Sequence, residues 1–423
     1  MDAKAAPASL SHDGGQAPAA PGFEFIALVA LTTSLVAMSI DTMLPALGAM
    51  ATELGAAHAN DRQLVLTAFF GGLSVGQLLY GPISDSTGRK TALSFGIVFF
   101  IVGNLVCALT HRFDVLLAGR VLTGFGAAGP RIVSTALVRD VYAGRAMARV
   151  MSFVSTVFIL VPVLAPSIGQ AVLAVTSWRA IFGGLVVIAV LNWVWFVLRQ
   201  PETLPRERRV PFSLRTIAHG TVEVFKTPIT LGYMLATGII FAAFISYLST
   251  VQQIFQEQYQ LGGLFPVFFG MLASTIGVAS FVNGRLVMRL GMQRLSRIAL
   301  LCACALSMIA FVGAWLCDGH PPFAAFMGYL LACFFFNGIL FGNFSARAME
   351  PMGHIAGVAA AITGSVSSLV ALALGTPFGR AYDGTVLPLI AGFMTCGLLA
   401  LAVTTWAEDR TARAAQRALE TST

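Results

Sequence analysis

The chain has 423 residues, of which 57% are hydrophobic and 11% charged, less than half the roughly 25% charge of a soluble domain. Water cannot be the solvent for most of such a surface; a bilayer can, because its core favours apolar side chains and penalises charge. The net charge of +7 does not point to nucleic acid, since the basic residues fall in short segments between apolar runs instead of along one groove.

In chain order, residues 1–22 are rich in Ala, Pro, Gly and Ser, lack the basic start of a signal peptide, and read as a short disordered tail. Apolar runs follow near 23–50, 62–84, 92–110, 115–138, 148–174 and 178–198, then near 229–255, 264–287, 295–317, 322–347, 355–380 and 386–406. Only helices and closed barrels satisfy their backbone in lipid, and these runs have the length of a spanning helix of about 20 residues, not of a barrel strand of about ten. The fold class expected is all-α integral membrane, with twelve transmembrane helices in two six-helix bundles. The bundles are 23–198 and 229–406, joined by a polar linker at 199–228 and followed by a tail at 407–423.

Twelve spans put both termini on one side. With the N-terminus inside, Arg62, Arg112, Arg179 and Arg380 are the only basic residues outside, and Arg120 and Arg131 lie within the fourth span; the other twenty of the 26 are inside or in the tails. This asymmetry predicts a multi-pass protein of the cell membrane, a bacterial inner membrane, with both termini cytoplasmic. Cys107, Cys302, Cys304, Cys317, Cys333 and Cys396 show no metal-ligand spacing and read as free thiols. With no P-loop or Ser/His/Asp elbow either, neither a metal, a cofactor nor enzymatic activity is expected. A weak internal repeat places Gly81 and Gly88 after the second span and Gly284 and Gly291 after the eighth, the second of each half.

The stretch Gly81–Lys90 resembles the major facilitator superfamily, whose signature between the second and third spans is G-x-x-x-D-x-x-G-R-K/R. Gly81, Asp85, Gly88, Arg89 and Lys90 match it, with Ser86 where a basic residue is usual. Asp41-Thr-Met-Leu-Pro45, Arg120-Val-Leu-Thr-Gly124, Ala165-Pro166-Ser-Ile-Gly169, Trp178-Arg179 and Pro201-Glu202-Thr203-Leu204-Pro205 are similar to its drug:proton antiporter branch, most of all to Bcr/CflA-type multidrug exporters. Val161 and Gln170 depart from the fuller fifth-span pattern, where Gly is usual. The resemblance covers nearly all of 23–406 and implies proton-coupled export of small amphipathic compounds by alternating access, by a monomer whose partners are a small-molecule substrate, protons and membrane lipids. A proton-coupled importer or facilitator of a metabolite on the same fold stands as the alternative. A non-transporting membrane sensor is a further one, disfavoured by the short linker.

Asp41, deep in the first span, is the expected proton carrier, because an intramembrane carboxylate is costly and by default functional; a local cap near Pro45 or a fixed ion pair are the other readings. Arg120, which cannot deprotonate, is expected to partner Asp41 or to hold helix ends. Arg131 is 11 residues further, about three turns, and so on the same face; it either completes a positive pocket with Arg120, reaches the inner surface or bonds a carbonyl opposite Pro130. With Asn337 and Phe341 of the tenth span, it is assigned to the substrate cavity. Gly81, Asp85, Gly88, Arg89, Lys90 and Asp140 are assigned to an inner latch, with Arg89 on Asp140, Asp85 at the N-terminus of the eleventh span, and the glycines permitting close packing and positive φ. Ala165, Pro166 and Gly169 are assigned to a bend in the fifth span. Arg347, Glu350 and His354 cluster at the inner end of the tenth span, where surface pairing is expected.

Overall fold

The computed structural model describes residues 22–422; the disordered tail expected at 1–22 lies, Gly22 apart, outside the described residues. The helices are α1 (Phe23–Asp41), α2 (Leu47–Glu53), α3 (Leu64–Thr87), α4 (Arg89–Leu109), α5 (Phe113–Val141), α6 (Gly144–Val175) and α7 (Arg179–Arg199). They continue with α8 (Leu214–Lys226), α9 (Pro228–Gln252), α10 (Phe265–Leu290), α11 (Met292–Leu316), α12 (Phe323–Met349), α13 (Ala356–Arg380) and α14 (Leu387–Ser422). A short 3-10 turn, Leu44–Ala46, runs α1 into α2 as one interrupted span, and α9 ends in a π-helical turn, Gln253–Gln258.

Among the described residues, eleven stretches are long and apolar enough to cross a membrane, and one of them, Phe323–Arg380, has 58 residues. At 1.5 Å per residue, it would be nearly three times the roughly 30 Å of a hydrocarbon core. It is two spans: the turn Glu350–Ile355 separates α12 from α13, and Met352 there leaves the helical region (φ −102°, ψ 17°). The spans therefore number twelve, α1/α2 through α7 in one half and α9 through α14 in the other. Two segments outside the expected spans are helical. The tail expected at 407–423 continues α14 as far as Ser422, since its Ala, Arg, Gln and Glu are good helix formers with no Gly or Pro among them. The linker holds a helix, α8, which begins where the Ser213 side chain accepts a hydrogen bond from the Thr216 amide (3.2 Å), an N-cap.

The internal repeat is a backbone fact. Gly88 between α3 and α4 (φ 102°, ψ 157°) and Gly291 between α10 and α11 (φ 76°, ψ 157°) take the same left-handed conformation at the same place in each half, one that an L side chain rarely adopts. Gly81 and Gly284 do not: both sit within helices, and a Cβ on either would meet nothing within 4 Å. The tight packing and positive φ expected of Gly81 are absent because it points to open space. Close helix contact comes from other glycines. A Cβ on Gly124 of α5 would lie 1.9 Å from the Phe69 carbonyl oxygen of α3, and one on Gly126 would lie 2.2 Å from the Phe100 amide of α4. Small residues let α5 press between its neighbours, the means by which helices associate where lipid offers no hydrophobic drive. The halves meet along two seams, α3 against α13 and α6 against α10.

We call the end of the bundle where α1 begins the near face and the opposite end the far face.

Candidate functional site in the central cavity

Pro45 lacks an amide hydrogen, so the carbonyl of Asp41, four residues earlier, loses its helical partner, and α1 stops there. The break brings the α6 backbone close: a Cβ on Gly169 would lie 1.9 Å from the Thr42 carbonyl oxygen. Asp41 is buried, 5% exposed. Its carboxyl lines a cavity of about 140 Å³ with Phe158, Ile159 and Pro162 of α6, Phe244 and Tyr247 of α9, Phe269, Ala273 and Ile276 of α10, and Phe334 of α12. Both halves contribute to the wall. Apart from Asp41 and the Tyr247 hydroxyl, the lining side chains are apolar.

Among the described residues, no cation pairs with Asp41. Nearby polar atoms are likewise unpartnered: the buried Tyr247 hydroxyl, Thr42 Oγ1 beside Asp41, Gln170 Oε1 beside Gly169, and Asn337 Nδ2 on α12. Leaving a buried polar group unsatisfied costs about 1–3 kcal/mol. Pro162 and Pro166 add to this, since neither can bond the carbonyl four residues earlier, those of Phe158 and Pro162. Ala165 (2% exposed) and Pro166 are themselves buried.

Arg120 is fully buried but is not the partner of Asp41. Its Nη1 donates to Ser39 Oγ and its Nη2 to the Ser39 carbonyl, both at 3.1 Å. Its Nε donates to the Val65 carbonyl at 3.4 Å, and the guanidinium lies 4.6 Å from the Phe69 ring centroid. Ser39 precedes Asp41 by two residues, which turns it by about 200° to the other side of α1. The expected pair therefore fails on helix geometry, and Arg120 clamps α1 and α3 to α5 behind the cavity.

Arg131 does lie on the Arg120 face of α5, but the two form no common pocket. Arg120 is sealed under α1, whereas Arg131, Thr135 and Arg139, spaced four apart, are exposed. One helix stripe is thus closed towards the far face and open towards the near face. Arg131 is not part of the Asp41 cavity wall. Of the two α12 residues assigned to the cavity, Asn337 is buried with its amide free. Phe341 packs behind the wall against Phe241 (6.0 Å) and Phe244 (6.4 Å).

The near-face cluster forms within one half. Arg89 donates to Asp140 (2.7 Å), to Asp85 (2.5 Å) and to Ser84 Oγ (2.9 Å), and Lys90 Nζ reaches the Val197 carbonyl at 2.7 Å. Asp85 is held by Arg89 and does not cap α13. Sequence reasoning missed Glu202, whose carboxylate accepts from the Arg89 and Lys90 amides (2.9 and 3.1 Å) at the start of α4, where the helix dipole favours an anion. Its signal was an acid in the linker motif. At the same face, Arg347 pairs with Glu350 and Glu408.

The far face is where the halves are tied, by residues the sequence did not single out. Asn60 donates to the carbonyls of Arg380 (2.9 Å) and Tyr382 (2.8 Å). Gln63 donates to the Gly379 carbonyl (2.8 Å) and to Gln253 (3.1 Å), which in turn donates to Asn60 (3.0 Å). Arg62 bonds Gln252 (3.0 Å) and Glu257 (2.5 Å), and Arg380 lies 3.6 Å from Asp61. The available signal was polar, Asn60-Asp61-Arg62-Gln63 facing Gln252-Gln253 across two spans. Replacing Asn60 and Gln63 together by Ala removes five direct side-chain bonds across the halves, each worth about 0.5–1.5 kcal/mol. Labelling of a cysteine placed at Thr376, in a Cys317→Ser background, by an impermeant thiol reagent from the far side should rise about ten-fold or more. Unchanged labelling would show that the amides do not hold this face shut.

Two six-helix halves around a cavity walled by both, tied to each other at one end, are the architecture of a membrane carrier. The chain belongs to the Major Facilitator Superfamily, whose family model matches residues 29–376. It is 32% identical over 346 residues to the uncharacterized MFS-type transporter YdgK of Bacillus subtilis, covering 81% of this chain and 85% of that one. It is 29% identical over 382 residues to the bicyclomycin resistance protein homolog of Haemophilus influenzae, covering 90% of this chain and 94% of that one. Among solved structures, a D-xylose-proton symporter superposes with a TM-score of 0.71 at 15% identity, covering 91% of this chain and 97% of the other, a likeness of fold. The chain is a multi-pass transporter, and not an enzyme, with relatives named for bicyclomycin resistance and for multidrug resistance, the latter the MdtL protein of Escherichia coli at 26% identity over 327 residues, covering 77% of this chain and 80% of that one.

Proposed function

We propose that this chain exports small apolar or amphipathic compounds in exchange for protons, by alternating access, with the near face and both termini in the cytoplasm of a bacterial inner membrane. The observation that carries this reading is the Asp41 carboxyl, buried without a cation in an aromatic cavity walled by both halves. The weighting of Lys and Arg towards the near-face segments supports the orientation, and the bicyclomycin-resistance relative supports drug-like cargo.

With the far face tied, a compound reaches the cavity from the cytoplasm along the open side of α5 and meets the rings of Phe244, Phe334 and Tyr247. Asp41 gives its proton to the cytoplasm in this state and takes the positive charge of an amphipathic cation in its place; the carrier reorients only when the carboxyl is neutralised in one of these two ways, because moving a bare charge through a dry cavity is costly. Once the far face opens, a proton from outside displaces cargo from Asp41, the neutral site returns, and the proton leaves to the cytoplasm. Exchange of one inward proton for one outward monovalent cation moves no net charge, so the pH gradient drives it, at about 1.4 kcal/mol per unit. Arg120 holds Ser39 throughout and so fixes the rotation of α1 that aims Asp41 inward.

The test is wild-type protein in inverted membrane vesicles with an imposed pH gradient, acid inside. Adding a transported compound from a broad panel should partly collapse the gradient while the compound accumulates inside. Compound movement down its own gradient, unaffected when the pH gradient is abolished, would replace exchange with facilitation.

A further inference from the structure

The linker helix α8 presents two separate apolar faces, and only one is used. Ile217, Gly220 and Val224 are buried against the start of α13, where a Cβ on Gly220 would lie 2.6 Å from Val358. At about 100° per residue, Leu214, Ala218, Val222 and Phe225 fall in a second sector, turned about 60–160° from the first. They are exposed, Leu214 by 68%, Val222 by 50% and Phe225 by 46%. The extended stretch before the helix prolongs this sector with Val210 (63%) and Phe212 (44%). Arg215, His219 and Lys226 lie along the far edge of the same sector, also exposed.

We propose that α8 lies along the bilayer surface at the near face and binds anionic phospholipid there, its second apolar sector dipping among the acyl chains and its basic edge meeting the headgroups. Three observations select lipid over a protein partner. The linker leaves the membrane at Arg199, where α7 ends, and returns at Pro228, where α9 begins, so the 13-residue helix between them is held at the surface. An apolar sector bordered by Arg and Lys is the pattern of helices that lie in the interface plane. The charge is one-signed: Arg206 and Arg208 are exposed in the turn before α8, while of the two acids nearby Glu223 is occupied by His354 (2.5 Å), leaving Glu207 alone against them. The proposal holds whichever compartment the near face meets.

The binding has a structural consequence. The buried side of α8 belongs to a cluster with Met234, Met352, Ala359 and Ile362, against which Leu78 of α3 packs. This cluster crosses the seam between the halves, so lipid that seats α8 also seats the α13 end of that seam.

The test is native mass spectrometry of the full chain in detergent, titrated with phosphatidylglycerol or with phosphatidylcholine of the same acyl chains. Wild type should bind phosphatidylglycerol in excess. The double variant R215S/K226S should lower that excess by roughly five-fold for each charge removed, the attraction of one basic side chain to an anionic surface. Val222→Asp should lower it through the apolar sector, and Thr216→Gln, on the polar side, should leave it unchanged. A melting temperature in detergent equal to that of wild type shows that each variant is folded. Equal binding of the two lipids by wild type, or an undiminished preference in both R215S/K226S and V222D, overturns the proposal.

Discussion

Asp41→Asn is expected to reduce compound-driven proton movement to the level of empty vesicles while leaving the fold and the binding of uncharged compounds in place. Asn has nearly the shape of Asp and keeps an oxygen towards the cavity, but it holds no exchangeable proton in the physiological range. Because no cation pairs with the carboxyl among the described residues, the substitution strands no buried charge, the usual reason that such changes destabilise. The melting temperature should therefore not fall, and apolar compounds should still quench aromatic fluorescence, since the rings around the cavity remain. Compounds that carry a positive charge should bind more weakly, having lost an attraction that a cavity poor in water makes strong. Proton exchange retained in Asp41→Asn would remove this residue as the carrier and turn attention to acids of the near face.

Gly169→Ala is the second large effect, and it separates packing from chemistry. The added Cβ would stand 1.9 Å from the Thr42 carbonyl oxygen, a backbone atom that no rotamer change can move. α6 must shift away from the break in α1, at a cost in the range of about 1–3 kcal/mol for overpacking, and Pro162 and Phe158 shift with it. Transport should fall steeply although no ionisable group has changed. The contrast is Gly183→Ala on α7, where a Cβ meets nothing within 4 Å and the exchange should stabilise the helix by up to about 1 kcal/mol. Equal transport by the two variants would mean that the α1–α6 contact does not position the site.

The span count, the division into halves and the buried acid were legible because each has a one-dimensional signature: run length, charge alternation, and a charged residue amid apolar neighbours. Their relations in space were not. Arg120 and Asp41 stand on adjacent spans, and the sequence offers no means of seeing that Ser39, turned half round α1, intercepts the guanidinium. Arg131 shares a face with Arg120, yet one is sealed and the other open, because that difference depends on where α1 lies over α5. The aromatic wall was half seen. Phe334 and Phe341 belong to a run of rings, but Tyr247 and Phe244 lie in a span that is apolar throughout, where periodicity gives no direction. α8 was overlooked because the linker is polar in bulk, and its two apolar faces emerge only when the residues are set on a helix.

The closure of the far face is made chiefly of amides. Asn60, Gln63 and Gln253 bond one another and the backbone carbonyls of α13 and the turn after it, with Arg62–Glu257 and Arg380–Asp61 at the margin. Amides do not titrate and are little screened by ions, whereas exposed ion pairs weaken as salt rises. The amide part of the seal is indifferent to the salinity and acidity of the medium that bathes it, and only its two marginal ion pairs respond. In the orientation proposed above, the outer medium can change without loosening these amides, and in the proposed exchange the opening is left to what occupies the cavity.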